Sequence, residues 1–379
     1  MEQNKIYFEG INGLRFFSAS AVILSHIELI KMAFGYSHRW NHPIFFYLGG
    51  IGVYFFFVLS GFLITFLLLE EKNITSTISI RNFYIRRILR IWPLYYLILL
   101  IGFFLLPNFT EIKINYLDSQ FQANFYKMLF LYMLMLPNVS MALYGHVPHI
   151  GHLWTIGVEE QFYILWPLII KRIKTRSLLI FFILFLGIIV LVKSAFLIIY
   201  INYKNSYLVP IKEFLAAFKI ECMTIGAIGA YLYWSKNKIL KLVYHPMIHI
   251  LSWIIIPVLI FFTPSGLQDG NHLIYSLAFI TIILNVSTNK KSFLKLELPI
   301  LNHLGKISYG IYMYHFMIIP IIIYTLRKNN IYINSLQGNI LLYTFTFIFS
   351  ILIANLSYNY FENIFLSFKK KFTIIPSKL

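Results

Sequence analysis

Long apolar runs alternate with short polar loops along almost the whole 379-residue chain. A membrane-spanning helix needs about 20 mainly apolar residues, and ten stretches approach this length. The pattern therefore predicts an all-α, polytopic membrane protein with about ten transmembrane helices, in which residues 1–379 form one integral membrane domain and no soluble domain is appended. The predicted spans are about 13–31, 48–69, 91–106, 153–170, 178–200, 214–234, 248–263, 272–287, 308–326 and 339–361.

The basic residues of the loops indicate an orientation. One set of loops carries large clusters, as at 72–90, 171–176 and 369–378, whereas the alternate loops carry only pairs such as Lys31 and Arg39. Loops rich in Lys and Arg stay on the cytoplasmic side of a membrane. The charge pattern therefore predicts that both termini are cytoplasmic.

The segment 125–143 is also apolar, but Pro137 interrupts it. If it crossed the membrane, every later loop would change sides and the basic cluster at 171–176 would face outward. We therefore expect an outer interfacial or re-entrant helix here.

Composition supports this class of protein. Hydrophobic residues make up 59% of the chain and charged residues 12%, against roughly 25% charge in soluble domains. The net charge of +18 resides mainly in loops, where it suits membrane lipids or an anionic cofactor rather than nucleic acid. The single cysteine, Cys222, has no partner for a disulfide or a metal site, and we predict no metal. No phosphate-binding loop or Gly-x-Ser-x-Gly motif occurs, which disfavours ATP-driven transport and serine hydrolysis.

Arg15 and His26 are the first candidates for chemistry. Their separation of about three helical turns places them on nearly one face, about 16 Å apart, together with Ser18 and Val22. A guanidinium at the mouth of a site can hold phosphate, and an imidazole deeper inside can accept a hydroxyl proton. Alternatively, Arg15 reaches lipid headgroups and His26 is a packing residue. Their shared face favours a functional site.

Arg87 and Arg90 form a second candidate. They are three residues apart, so they are neighbours on a helix surface. Together they suit the phosphates of a nucleotide-bearing donor such as coenzyme A. Alternatively, they belong to a basic loop that sets orientation and binds lipid.

Adjacent carboxylates, Glu159 and Glu160, lie near the start of the fourth predicted span. His152, Thr155, Glu159 and Tyr163 share one helical stripe, while Glu160 points elsewhere. Buried unpaired carboxylates cost several kcal/mol. We therefore expect at least one of them to pair with Arg, Lys or His of another span, or to be protonated, and we predict a site role.

Later residues supply possible supporting groups. Glu221 precedes Gly226 and Gly229, whose small size allows close helix packing. Ser308, Tyr309 and His315 open the ninth span, where they serve either the site or core hydrogen bonding.

Taken together, these segments resemble the acyltransferase family 3 membrane proteins, the bacterial O-acyltransferases of polysaccharides, lipopolysaccharide and other glycosides. The matching motifs follow one another in order over about residues 10 to 318. They are Gly13-Leu-Arg15 with His26, Gly52-Val-Tyr-Phe-Phe-Phe-Val-Leu-Ser-Gly-Phe-Leu-Ile-Thr65, Arg87-x-x-Arg90 with Trp92-Pro-Leu-Tyr-Tyr, His152-Leu-Trp-Thr with Val158-Glu-Glu-Gln-Phe-Tyr, Lys219-Ile-Glu-Cys-Met-Thr-Ile-Gly-Ala, and Leu304-Gly-Lys-Ile-Ser-Tyr with Tyr312-Met-Tyr-His315.

The resemblance implies an acyl-coenzyme A donor, with acetyl-CoA expected, that is met at the cytoplasmic face. The acceptor would be a hydroxyl of a cell-surface glycan or a lipid-linked sugar. His26 would be the central catalytic residue and Arg15, Arg87 and Arg90 the donor-binding residues. We further expect Glu159 or Glu160 to orient the imidazole.

The same resemblance implies a bacterial cytoplasmic membrane location, no permanently bound cofactor, and partners in glycan assembly. Tyr54 and Tyr314 stand where many family members carry Asp and Trp, which leaves acceptor choice open. The alternatives are a transporter or flippase for a glycolipid or small solute, which would not consume a thioester, and a nonenzymatic sensor or assembly subunit, in which Arg15 and His26 would be dispensable.

Overall fold

The computed structural model describes residues 6–203, 205–263 and 270–375. Their regular elements are helices, as expected where backbone N–H and C=O groups have no water to bind. The main helices are α1 (Ile11–Ala33), α2 (Pro43–Thr75), α3 (Ile80–Leu100), α4 (Asn115–Met133), α5 (Pro137–Tyr144), α6 (Trp154–Arg172), α7 (Leu178–Tyr203), α8 (Val209–Ala217), α9 (Ile220–Trp234), α10 (Leu240–Val243), α11 (Pro246–Phe262), α12 (His272–Thr288), α13 (Pro299–Lys306), α14 (Ser308–Lys328), α15 (Leu336–Ser357) and α16 (Asn363–Lys369).

Each predicted span coincides with a helical segment, but only seven helices in the described ranges have the length and composition to cross a membrane. Of the other three predicted spans, α11 and α12 have 17 residues each, and α6 carries two carboxylates and two basic residues. The all-α, multi-span class is confirmed. Ten crossings and the orientation of the termini stay predictions.

The packing around α2 is unusually close because glycines face backbone atoms. A Cβ added to Gly61 would lie 1.9 Å from the Met223 carbonyl oxygen, and one on Gly226 would lie 2.0 Å from the Val58 carbonyl oxygen. Only a residue without a side chain allows this approach. The predicted small-residue packing at Gly226 is therefore confirmed, and α2 and α9 form a closely packed pair.

The predicted break at Pro137 is also present. Helix α4 ends at Met133, Met135 adopts a left-handed conformation with φ of 60°, and Pro137 begins α5 at a position where its missing N–H costs nothing. Helix α5 then packs beside α6, where Asn138 and Gln161 exchange two 3.1 Å hydrogen bonds. This contact fixes the side of α6 opposite to Glu159.

The chain returns beneath α3 after a π-helical turn at Tyr358–Glu362. Ser357 Oγ accepts a hydrogen bond of 3.0 Å from the Tyr314 hydroxyl and donates one of 3.1 Å to Glu362. Arg86 Nη1 donates to the Phe372 carbonyl at 2.7 Å. These contacts hold α16 against α3 and place it next to the candidate site.

Candidate active site

A narrow cavity of about 140 Å³ runs between α2, α3, α6 and α14. Its apolar wall comes largely from α2. Polar groups from several helices face it, and they are Arg15, Ser60, Arg87, Arg90, Thr155, Glu159, Tyr163, Ser308, Tyr309, Tyr312 and Lys369.

A wider and more polar cavity of about 620 Å³ adjoins the narrow one. The two share six lining residues, and we call this shared zone the cationic junction. Its members are Arg15, Leu67, Arg87, Arg90, Tyr309 and Lys369. The wide cavity therefore opens into the narrow one past four positive charges.

The cations of the junction form no ion pairs among the described residues, although Glu159 lines the narrow cavity and Glu71 and Glu362 line the wide one. Arg15 Nη1 donates to Asn12 at 3.3 Å, and Arg87 lies over the rings of Phe83 and Tyr163 at 5.7 and 5.8 Å. Within the described residues, no ion pair reaches Arg15, Arg87, Arg90 or Lys369. Converging charges of one sign in a partly buried site are costly unless an anion binds there.

Three of the four residues predicted to share a stripe face the narrow cavity, whereas the fourth, His152, lies in the turn before α6 and does not line it. Thr155, Glu159 and Tyr163 all line it. Glu159 accepts a hydrogen bond of 2.7 Å from Ser60 of α2, whose Oγ lies 3.3 Å from the Tyr163 hydroxyl. Ser60 was not among the predicted site residues, although a hydroxyl within an otherwise apolar span was a visible signal.

Glu160 points away from both cavities, as predicted. Its Oε2 accepts a 3.2 Å hydrogen bond from the Trp92 indole, and its Oε1 is buried without a partner among the described residues. Both carboxylates of α6 thus bind neutral groups, Glu159 from α2 and Glu160 from α3. In the part of the chain that the structure describes, neither carboxylate makes an ion pair, so of the two expected outcomes, pairing or protonation, protonation stays the prediction.

His26 contacts a second histidine. Its Nδ1 lies 2.8 Å from His315 Nε2, and His315 Nδ1 lies 2.6 Å from the Tyr312 carbonyl oxygen. A carbonyl only accepts, so His315 Nδ1 carries the hydrogen and, in the neutral ring, Nε2 accepts from His26 Nδ1–H. The remaining nitrogen of His26, Nε2, then carries a free lone pair.

This arrangement corrects one expectation. We expected Glu159 or Glu160 to orient His26, but the hydrogen-bond partner that the structure gives it is His315. The two residues are 289 positions apart in sequence, and only the packing of α1 on α14 brings them together.

His152 completes a cluster of three imidazoles. Its ring centroid lies 5.1 Å from that of His315 and 5.2 Å from that of Phe316, and Phe316 also packs edge-on against His26 at 4.8 Å. His152 is only 3% exposed, and neither ring nitrogen makes a hydrogen bond within the described ranges. The cluster therefore places a further buried imidazole close to His26 and His315.

The histidine cluster is separated from the cationic junction. His26 lines neither of the two cavities. The Tyr312 hydroxyl and Thr155 Oγ1, 2.9 Å apart, close the narrow cavity, and the Tyr312 hydroxyl donates to the His152 carbonyl at 3.1 Å.

The expected path along the Arg15–His26 face is likewise filled. A Cβ at Gly52 of α2 would lie 2.7 Å from the Ser18 carbonyl oxygen and 2.8 Å from a Val22 methyl. The face between Arg15 and His26 is thus a helix contact, and the prediction that it lines a path is wrong. The narrow cavity lies instead between α2, α3, α6 and α14.

The remaining predicted residues divide between two places. Ser308 and Tyr309 line the narrow cavity, with hydrogen bonds of 2.8 Å to the Gly305 carbonyl and 3.0 Å to the Ile91 carbonyl. Glu221 lies elsewhere, in an ion-pair cluster with Lys193 and His272, each at 2.7 Å. It is not part of the cavities described here.

These features define a polytopic helical membrane protein with a buried cationic cavity and a neighbouring histidine cluster. The model of the family described as "Acyltransferase domain", acyltransferase family 3, matches residues 8–358. The chain belongs to this family.

Several curated relatives come from Staphylococcus aureus. The chain is 28% identical over 377 residues to "Putative O-acetyltransferase SACOL0978" of Staphylococcus aureus strain COL, covering 95% of this chain and 57% of the relative. It is 28% identical over 394 residues to O-acetyltransferase OatA of strain NCTC 8325, covering 98% of this chain and 59% of the relative. The chain thus spans less than three fifths of the length of these relatives. No solved structure matches it.

Proposed function

We propose that this protein transfers an acetyl group, or a closely related acyl group, from acyl-coenzyme A at the cytoplasmic face to a hydroxyl of a cell-surface glycan or lipid-linked sugar. The setting would be the bacterial cytoplasmic membrane. Family membership and the names of the relatives support O-acyl transfer. The observation that carries the proposal is the cationic junction between a wide polar cavity and a narrow apolar one.

The two parts of the donor match the two cavities in width. Coenzyme A has a bulky nucleotide with several phosphates and a slender arm that ends in the thioester. The wide cavity suits the nucleotide, and the narrow cavity suits the arm. Arg15, Arg87 and Arg90 would hold the phosphates where the two meet, since guanidinium groups form strong, directed hydrogen bonds with phosphate.

His26 would perform the chemistry through Nε2. This nitrogen takes the proton of the acceptor hydroxyl as the acceptor oxygen bonds to the acyl carbon. The C–S bond then breaks, and the departing thiolate of coenzyme A receives the proton from the imidazolium. His315 would hold the ring in the required tautomer and accept a hydrogen bond from Nδ1–H while the ring is charged, in the manner of the third member of a catalytic triad.

The same lone pair permits a second route. His26 Nε2 attacks the thioester directly, an acyl-imidazole forms as the thiolate leaves, and the acceptor hydroxyl then displaces the imidazole. In both routes the Tyr312–Thr155 contact has to open, because it closes the cavity on the side of His26. Trapping of labelled acyl-enzyme in acid-quenched samples distinguishes the second route from the first.

The decisive experiment follows label from acetyl-CoA. Membranes or purified protein are incubated with labelled acetyl-CoA and glycan, and label in glycan is measured for wild type, His26→Ala and the exposed-helix control His303→Ala. Loss of the general base lowers the rate at least about 100-fold, whereas His303→Ala, on exposed α13 surface, leaves it unchanged. A folded His26→Ala protein that acetylates at the normal rate refutes the mechanism. Substrate movement without thioester consumption would instead indicate a transporter.

The positioning role of His315 has its own test. His315→Ala lowers kcat and leaves both KM values within about threefold, because the tautomer of His26 is no longer fixed. His315→Gln, whose amide oxygen accepts the same hydrogen bond, recovers part of kcat. Equal kcat in the Ala and Gln variants would show that His315 only packs.

A further inference from the structure

Lys369 is the one cation of the junction that does not come from α1 or α3. It lies on α16 and lines both cavities together with Arg15, Arg87 and Arg90. It is half-buried, and no ion pair reaches it among the described residues. Such a lysine is more costly than one that points into water, so its position calls for a bound anion.

The two lysines that follow Lys369 are placed differently, although all three belong to one basic run in the sequence. Lys370 lines only the wide cavity. Lys371 lines neither and lies over the Phe368 ring at 5.7 Å. A run of basic residues that only sets membrane orientation has no need to direct one member between two cavities.

The structure also keeps this segment in place. Arg86 binds the Phe372 carbonyl and pairs with Glu71 at 3.1 Å, and Glu71 accepts a further hydrogen bond of 2.7 Å from the Ser79 backbone N–H. Glu71 thus pairs with Arg86, and Glu362, the other carboxylate of the wide cavity, accepts from Ser357. Neither forms an ion pair with a cation of the junction. Residues 363–375 thus form a fixed wall of the wide cavity, with Lys369 at its edge.

We propose that Lys369 is a phosphate-binding residue of the donor site, and that α16 with the residues after it is the wall against which the diphosphate of coenzyme A binds. This inference rests on the proposed function and extends it from the two helices identified by motif to the C-terminal segment. Lys369 supplies an ammonium group opposite the guanidinium groups of α3, so that the diphosphate is bound from two sides.

Equilibrium binding tests the proposal in the full-length protein, reconstituted in phosphatidylcholine nanodiscs with coenzyme A as the probe. Lys369→Gln weakens binding roughly tenfold or more, as expected for the loss of one charged hydrogen bond. Lys369→Arg binds within about threefold of wild type, because the charge is kept. The matched control Lys371→Gln also stays within about threefold.

A truncated ligand distinguishes phosphate binding from a general defect. Acetyl-pantetheine lacks the diphosphate, so at concentrations where it binds, wild type and Lys369→Gln bind it equally. Equal coenzyme A affinity of wild type and Lys369→Gln overturns the inference alone. Failure of wild type to bind coenzyme A overturns the inference together with the proposed donor.

An anionic lipid headgroup carries similar chemistry and is the other source of phosphate. Nanodiscs that contain phosphatidylglycerol distinguish the two. If Lys369 serves the donor, the difference between wild type and Lys369→Gln persists in both lipid mixtures. If phosphatidylglycerol abolishes coenzyme A binding by wild type, the site belongs to lipid and the proposal is wrong.

Discussion

Two groups of charged side chains lie inside the helix bundle, and they differ in how their charges are balanced. Glu221 contacts Lys193 and His272 at 2.7 Å each, with Glu221 only 1% exposed. The cations of the junction, by contrast, line the two cavities. The first group contains ion pairs within the protein, whereas the cations of the second form none among the described residues.

This difference separates a structural role from a binding role without reference to motifs. Lys193 lies on α7, a peripheral helix in which only 6% of the most apolar 18-residue stretch is buried. The ion pair of Lys193 with Glu221 therefore attaches this helix to the bundle. Removing a charge from a paired group should cost stability. Removing one from an unpaired group should cost ligand affinity and little else.

The largest effect should follow from Glu221→Gln. It leaves the half-buried Lys193 without its counter-charge, and breaking a pair whose carboxylate is buried costs up to about 3 kcal/mol. Thermal unfolding in detergent would show a fall of several degrees in Tm. The control Glu213→Gln breaks an exposed pair with Lys212 and should change Tm little. A stable Glu221→Gln protein would mean that the paired group is not structural.

Arg90→Gln should act in the opposite way. We expect the KM for acetyl-CoA to rise about tenfold to a hundredfold through the loss of phosphate contacts, with Tm unchanged or raised because repulsion among the cations falls. Arg81→Gln, an exposed position on the same helix, should leave KM unchanged. A drop in Tm equal to that of Glu221→Gln would remove the distinction between the two groups.

A double substitution sharpens the comparison further. Lys193→Met combined with Glu221→Gln removes both charges, so it should be more stable than Glu221→Gln alone by about 1 kcal/mol or more. Unfolding of the two single variants and the double variant gives the coupling energy. Strictly additive losses would show that the pair does not act as a unit.

The smallest effect concerns salt. Raising the salt concentration from about 50 mM to about 500 mM shortens the screening length more than twofold, so the KM for acetyl-CoA should rise a few-fold. The contribution of Glu221 to Tm should change little, because buried pairs are screened less. The Tm difference between wild type and Glu221→Gln, recorded at both concentrations, measures that contribution. A KM insensitive to salt would weigh against phosphate binding at the junction.

Long apolar runs were sufficient to predict the helical class, and the proline itself predicted the break at Pro137. Helical spacing predicted the shared face of Thr155, Glu159 and Tyr163. It was also sufficient for the neighbouring positions of Arg87 and Arg90. All of these features depend on residues within about one or two helical turns of each other, for which sequence spacing determines geometry.

Contacts between helices that are far apart in sequence could not be predicted from residue spacing. The His26–His315 hydrogen bond, the Ser60 partner of Glu159 and the position of Lys369 all depend on helix packing. The prediction for the face of α1 that carries Ser18 and Val22 was wrong for the same reason. This face was expected to line a path, but Gly52 of α2 packs against it. A helical wheel shows which residues share a face but not which helix covers it.

The π-helical turn at Tyr358–Glu362 has a consequence for how the last segment tolerates insertions and deletions. A π turn contains one residue more than an α turn, and each helical residue advances the direction of its side chain by about 100°. A one-residue deletion within the π turn would convert it into an α turn and leave the direction of the later side chains nearly unchanged. The same deletion between Asn363 and Lys369 would instead turn Lys369 by about 100° and take it out of the cavity. The last segment therefore tolerates a change of length at the π turn better than one inside α16, where the angular register places Lys369.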